Sequence, residues 1–450
     1  MIVLAFKNFI RSNSVKIGLS FLLIAGIVSL FVGKQFIEKQ EQNITETAAY
    51  QKEYTARNVH HHQDEIGLLL YYLKFAFVNE TLPMNGLSIG QRDVNPSIQS
   101  LTIRGLEAQK YDADLNNPTN LLLGNIDFSF VLIFLFPLII IAFTYNIISE
   151  EKESGTWRIV AIQSKNLFLY VLQLFFIRFI GVVAVLFFIL LLSVFFLKIP
   201  LESIFFSFVG ISLLYILCWF GICFWVASLQ KSSNANAVIL LSIWIVLIII
   251  LPASLNNYLV NKYPVPEALS TTLKQRKGYH EKWDTDKTQT MNRFYAHYPQ
   301  FKQFPLPDKE FSWLWYYAMQ QIGDDEAATQ ATAFKEKLNQ RNRASNSIAQ
   351  FFPTIHTQIQ LNEIAQSGLS NHLQFLEETG KFHEKMRLYF YPKIFREVPV
   401  NSEKWNKFNI ETFKNPHESG GLHSYLSLVI FILLFGALGW LNFKKSIYQV

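Results

Sequence analysis

Cysteine is almost missing from this chain. Its 450 residues hold two, Cys218 and Cys223, both inside one apolar run, so no disulfide framework braces the polar regions. Charge is scarce as well: Asp, Glu, Lys and Arg make up 16% of the residues. The formal net charge is +6, but the basic residues are interleaved with acids and form no stripe, which argues against a nucleic-acid partner. There is no G-x-x-x-x-G-K-[ST] loop, the element whose backbone amides and lysine hold nucleotide phosphates. Gly380-Lys381 is followed by Phe382 and has no glycine at the required distance before it. If the chain carries out active transport, its energy must therefore come from a partner, and no cofactor or metal is expected in this chain.

Two short patterns imitate chemistry without the surroundings it needs. Gly86-Leu87-Ser88-Ile89-Gly90 has the letters of a G-x-S-x-G nucleophile elbow, which requires a strand before the serine and a helix after it. Neither Pro83-Met84-Asn85 nor Gln91-Arg92-Asp93 suits those roles, so a membrane-bound hydrolase using Ser88 is the weakest reading. His60-His61-His62 with Asp64 and Glu65 could put His61 and Glu65 one helical turn apart, but it reads as a solvated helical face.

What the chain does have is long apolar runs. A helix rises about 1.5 Å per residue and the hydrocarbon layer is about 30 Å thick, so about 20 apolar residues cross it. Six stretches qualify: Ile17 to Gly33, Phe128 to Ile148, Phe179 to Leu197, Ile204 to Leu229, Ala235 to Leu255 and Leu422 to Phe443. The third belongs to a longer apolar run that begins at Leu167. An arginine near the bilayer centre costs at least about 2.5 kcal/mol, so Arg178 and Lys198 are read as interface anchors at the two ends of that span, the rival reading being Arg178 as a buried functional charge. Leu167 to Ile177 then becomes a helix lying at the membrane surface. Pro137 and Pro252 fall inside the second and fifth spans, where a proline removes a hydrogen bond and kinks the helix; both are possible hinges.

Lys7, Arg11 and Lys16 precede the first span, and Lys34 to Glu41 after it is charged and carries no small-x-small cleavage pattern, so the span reads as an uncleaved anchor. The positive-inside bias places the N-terminus in the cytoplasm, and six crossings return the C-terminus there. Arg158, Lys165, Lys231, Lys444 and Lys445 then fall on the cytoplasmic side too. The expected organisation is residues 1–33, an amphipathic segment and first span; 34–126, a largely helical first external segment; 127–255, spans two to five with a cytoplasmic coupling element at 150–178; 256–421, a large external domain; and 422–450, the sixth span and tail. The fold class is an all-α integral membrane protein with six transmembrane helices and a mainly helical external domain.

Helical periodicity supports that class outside the spans. Ile66, Leu70, Leu73 and Phe77 form an apolar stripe, as do Ala327, Ala331, Phe334 and Leu338, and also Phe375, Thr379, Phe382, Met386 and Tyr389. Trp283, Trp313, Trp315, Tyr316, Tyr317 and Trp405 offer core or interface surface for the large domain.

The most informative segment follows the second span: Glu150-Glu151-Lys152-Glu153-Ser154-Gly155-Thr156-Trp157-Arg158. Gly155 lets the chain turn, Thr156 is placed to cap a new helix, and Trp157, Ile159, Val160 and Ile162 give that helix an apolar face. Beside a cluster of acids, such a helix suits the docking of a soluble motor.

This segment resembles the acidic E-x-x-x-G-T coupling element that follows the second span of ABC-2-type permeases. The six spans, the amphipathic Leu4 to Ile10 and a surface helix before the third span extend the likeness over most of the membrane part. The phrases Arg293 to Pro299, Trp315 to Gln321 and Phe382 to Pro392 resemble a bacterial subgroup with a large external insertion between the fifth and sixth spans. The resemblance implies a bacterial inner-membrane permease of an ABC transporter. Its partners would be a cytosolic ATPase dimer that binds ATP and Mg, a second permease subunit, identical or paralogous, and membrane lipid. Glu150, Glu151, Glu153, Gly155, Thr156, Trp157 and Arg158 would be the ATPase-coupling residues. The alternative is an interaction subunit that transmits force to an envelope partner without carrying cargo.

Overall fold

The structure is a computed structural model that describes residues 2–110, 125–164, 166–265, 267–306, 308–416, 421 and 423–446. Lys165 and Leu422 lie outside the described residues. The chain is mostly helical, and six helices are long and apolar enough to cross a membrane, the character of a multi-pass membrane protein. They form a bundle with two ends. One end, the head, carries both long polar segments; the other, the base, gathers the N-terminal helix, the acidic turn and the final helix end.

Helix α1 (Ile2–Arg11) lies at the base. Helix α2 (Asn13–His61) contains the first span and runs on as a single rod into the head. Its 49 residues span about 74 Å, more than twice the hydrocarbon thickness. The second span, α3 (Phe128–Glu153), is followed by the short helix α4 (Trp157–Gln163). The remaining spans are α5 (Leu167–Phe196), α6 (Ser203–Ser228), α7 (Ser233–Lys262) and, at the end of the chain, a helix over Ser424–Lys445.

The third span departs from the sequence expectation. Leu167 to Phe196 is one uninterrupted helix of 30 residues, so there is no separate surface helix at Leu167 to Ile177. The chain does not need to break at Arg178, because that side chain is accommodated in place. Its Nε donates to Phe143 O (2.6 Å) on α3 and its Nη1 to Leu174 O (3.0 Å) one turn back, while the guanidinium stands 5.7 Å from the Phe9 ring centre. Lys198, just past the helix end, is exposed and takes a left-handed φ of 56°.

Both membrane prolines follow a widened turn. Val131–Leu135 and Val246–Ile250 are π-helical, and Pro137 and Pro252 each stand second in the α-helical segment that comes next. Proline has no N–H for the preceding carbonyls, and a π turn absorbs the mismatch. Outside donors satisfy the loosened backbone. Tyr215 Oη donates to Ile133 O (3.0 Å), Trp244 Nε1 to Phe134 O (3.2 Å), and Thr354 Oγ1 to Leu247 O (2.9 Å).

The head contains a small sheet that helical periodicity does not announce. Strand β1 (Phe75–Asn79) is central, pairing antiparallel with β2 (Ile98–Leu101) and parallel with β3 (Glu411–Phe413). The expected stripe from Ile66 to Phe77 is therefore split: Ile66 and Leu70 sit on a short helix, Ile66–Tyr72, Leu73 ends it, and Phe77 lies on β1. The aromatic-rich alternation of Phe75-Ala76-Phe77-Val78 favours a strand buried on both faces.

The helices of the head are α8 (Glu267–Glu281), α9 (Lys287–His297), α10 (Trp313–Ala349), α11 (Pro353–Ile364) and α12 (Leu369–Phe395), of which α12 packs on β1. One core joins residues of both polar segments: Leu70, Phe75 and Phe77 with Phe294, Tyr317, Phe375 and Phe390. Trp315, Tyr316, Tyr317 and Trp405 are buried there, whereas Trp283 is exposed. A buried ion pair fastens the two segments. Arg387 Nη2 meets Asp324 Oδ2 at 2.8 Å and also donates to Arg104 O (2.6 Å), while Asp324 accepts from Leu106 N (2.8 Å).

Candidate functional site at the base of the bundle

The acidic turn is built by the end of α3. The helix loosens into turns after Thr144 and re-forms at Ser149–Glu153, so its last acids stand at the base rather than in the apolar layer. Gly155 then reverses the chain with φ of 77°, a left-handed conformation that favours glycine, and its surroundings are open.

Glu153 does the joining. Its Oε1 accepts from Ser233 N (2.7 Å) and its Oε2 from Ser233 Oγ (2.8 Å), which places a carboxylate at the first turn of α7. Beside it Lys152 Nζ donates to Gln230 Oε1 (2.6 Å) and Ser149 Oγ meets Ser233 Oγ at 2.8 Å. Asn236 Nδ2, one turn along α7, donates to Tyr145 O (3.1 Å). The turn after the second span is thus stapled to the start of the fifth by side chains of both. Gln230, Ser233 and Asn236 were not singled out in the sequence. For Gln230 and Ser233 the signal is Gln230-Lys231-Ser232-Ser233-Asn234, a polar turn squeezed between two apolar runs, whereas Asn236 falls within the fifth apolar run and gives none.

The other acids have separate roles. Glu150 is exposed and accepts from Asn146 Nδ2 (2.6 Å). Glu151 accepts from the Thr156 hydroxyl. Thr156 stands at the cap position of α4, but its side chain makes no cap bond and turns back to Glu151 instead, correcting the expected capping role. Trp157 is 3% exposed and packs into the membrane core, with Lys152 Nζ 5.8 Å from its ring centre. Arg158 is exposed. On the same short helix Ile159 is 56% and Ile162 86% exposed, so α4 holds on by Trp157 and leaves apolar side chains uncovered.

At the head end, Pro83–Gly86 forms a single 3-10 turn, and Ser88 follows it in a loop where its hydroxyl donates to Asn362 Oδ1 (2.7 Å). No strand leads into that serine. His60 and His61 end the rod of α2, and among the described residues no group of His, Cys, Asp or Glu has the arrangement to hold a metal ion. The head instead closes over the bundle through α11: beside the Thr354 bond to α7, His356 Nε2 lies 2.9 Å from Ser424 O, and Leu361 and Ile364 join the membrane core.

Residues 269–413 match a domain of unknown function (DUF3526). The match begins in α8 and ends with the last residue of β3, so it lies wholly in the head. No curated protein and no solved structure matches the chain.

Proposed function

We propose that this chain is the permease subunit of an ABC-2-type ABC transporter, in which a cytosolic ATPase dimer docks at the base and moves the spans of two paired permeases. The observation that carries the reading is the staple between the acidic turn and the fifth span. A push on the exposed face of α4 reaches α3 through Gly155 and reaches α7 through Glu153 and Ser233. The motor is a separate protein that supplies ATP and Mg, and the membrane is the bacterial inner membrane with the base facing the cytoplasm.

The test uses the chain co-purified with its native ATPase and labelled with a fluorophore on the head. Charge reversal of Glu150, Glu151 and Glu153 together should leave ATP hydrolysis running while the ATP-dependent head signal disappears. An unchanged head signal would count against the coupling role, and so would a purification that yields no ATPase.

A second reading has its own observation. Thr354, carried by the head, bonds the loosened backbone of α7 just before Pro252, so motion of the fifth span is transmitted directly to the head. On this reading the chain does mechanical work on an envelope partner and carries no cargo. Liposomes containing the complex separate the two, because vectorial movement of any solute excludes the purely mechanical form.

A further inference from the structure

A cleft of about 560 Å³ opens at the base between α1, the start of α2, the end of α3 and the first half of α5. Its wall is mixed. Phe9, Val15, Phe143 and Leu174 are apolar, while Asn8, Ser12, Asn146 and Tyr170 are polar and Arg178, Glu150 and Glu151 are charged. Phe9 is the wedge that holds α1 in place: it is buried, stands edge-on to Phe143 at 5.6 Å, and leaves Phe6 and Ile10 on the same helix exposed.

Arg178 is the unusual member. Its close contacts are two backbone carbonyls and a ring, and among the described residues no carboxylate lies within ion-pair distance of it. Glu150 acts on the guanidinium only from farther off, across the cleft, so donors of Arg178 remain for a further acceptor, and its fork geometry suits a phosphate. Arg178 also stands about 6 Å inside the base-side edge of the hydrocarbon layer, close enough for a long side chain to reach a headgroup phosphate. Phe143 O, which binds Arg178 Nε, is 16 residues beyond Asp127 at the opposite end of α3, so it lies about 24 Å along a hydrocarbon layer about 30 Å thick. Glu150 and Glu151, seven and eight residues beyond Phe143 toward the base end of α3, also line the cleft, where a second, positive group of the same ligand would meet them.

We propose that this cleft is a binding site for a zwitterionic phospholipid with a primary amine, its phosphate on Arg178, its ammonium toward Glu150 and Glu151, and its acyl chains along Phe6 and Ile10. The site depends on the membrane placement of the bundle and not on the permease reading. A bound lipid would tie α1 and α5 to the acidic turn, so occupancy would tune the stiffness of the base.

Full-length protein from nanodiscs of phosphatidylcholine doped with either phosphatidylethanolamine or phosphatidylglycerol is released into mild detergent, and the retained lipid is read by native mass spectrometry. Phosphatidylethanolamine should be retained in preference to the other two. Arg178→Gln should lower that retention about tenfold, the value of a charge-assisted hydrogen bond of about 1.5 kcal/mol. Asn8→Trp, a change on an exposed position of α1 that fills the cleft, should do the same if Arg178→Gln fails to fold. Equal retention in wild type and Asn8→Trp would overturn the site. Equal retention of phosphatidylglycerol would overturn the ammonium assignment, and displacement by millimolar inorganic phosphate alone would show a free-anion site and overturn the lipid.

Discussion

Arg387 and Asp324 show how single residues join segments that are far apart in sequence. The pair is buried, and its hydrogen bonds reach Ile103, Arg104 and Leu106 on the first polar segment. Removing one partner leaves an uncompensated buried charge, so Arg387→Met should destabilise the head by about 3–5 kcal/mol, measured as an earlier tryptophan-fluorescence melt. Three histidines add a pH dependence, and burial lowers the first, His356. Burial, reinforced by Arg92, pushes His372 down to about 4, and burial reinforced by Arg387 holds His383 well below its ordinary value. Folding thus favours their neutral forms, and protons bind the unfolded chain first once the pH falls below about 6.5. Head stability should be full above that pH and decline as pH falls toward 4, by an amount that His372→Gln reduces. A melt equally stable at pH 7.5 and pH 5 would contradict this assignment.

At the scale of elements, the spans were readable because about 20 apolar residues in a row have few alternatives to crossing a membrane. The break proposed at Arg178 was not, because local sequence does not reveal that Phe143 on another span offers a carbonyl to the guanidinium. The sheet was hidden for a related reason: β1 finds β3 more than 300 residues later, and the spacing of Ile66, Leu70, Leu73 and Phe77 fits a helix until the pairing is known. At the base, the acids and Gly155 were legible as a turn, while the Ser233 end of the staple was legible only as a polar loop. Two expectations follow from these elements. Thr354→Val removes the outside donor to Leu247 O and should cost about 1 kcal/mol of stability, with a weaker coupling between α7 and the head seen as increased hydrogen exchange just before Pro252. Ile162→Asp, on the uncovered face of α4, should abolish co-purification of the ATPase without shifting the melt; retained co-purification would remove α4 from the docking surface.

Taken whole, the molecule is a bundle with a staple at one end and a composite domain at the other, joined by the rod of α2 and by α11. In the permease reading proposed above, the two ends face different compartments, the base toward ATP. Cysteine labelling tests this most directly, since both native cysteines are buried in the fourth span. Ser154→Cys at the exposed acidic turn and Thr332→Cys on the exposed side of α10 are each treated with a membrane-impermeant maleimide. In spheroplasts with a sealed inner membrane Thr332→Cys alone should be labelled, and in inside-out vesicles Ser154→Cys alone. Labelling of Ser154→Cys in sealed spheroplasts, or of both positions from one side, would contradict that reading.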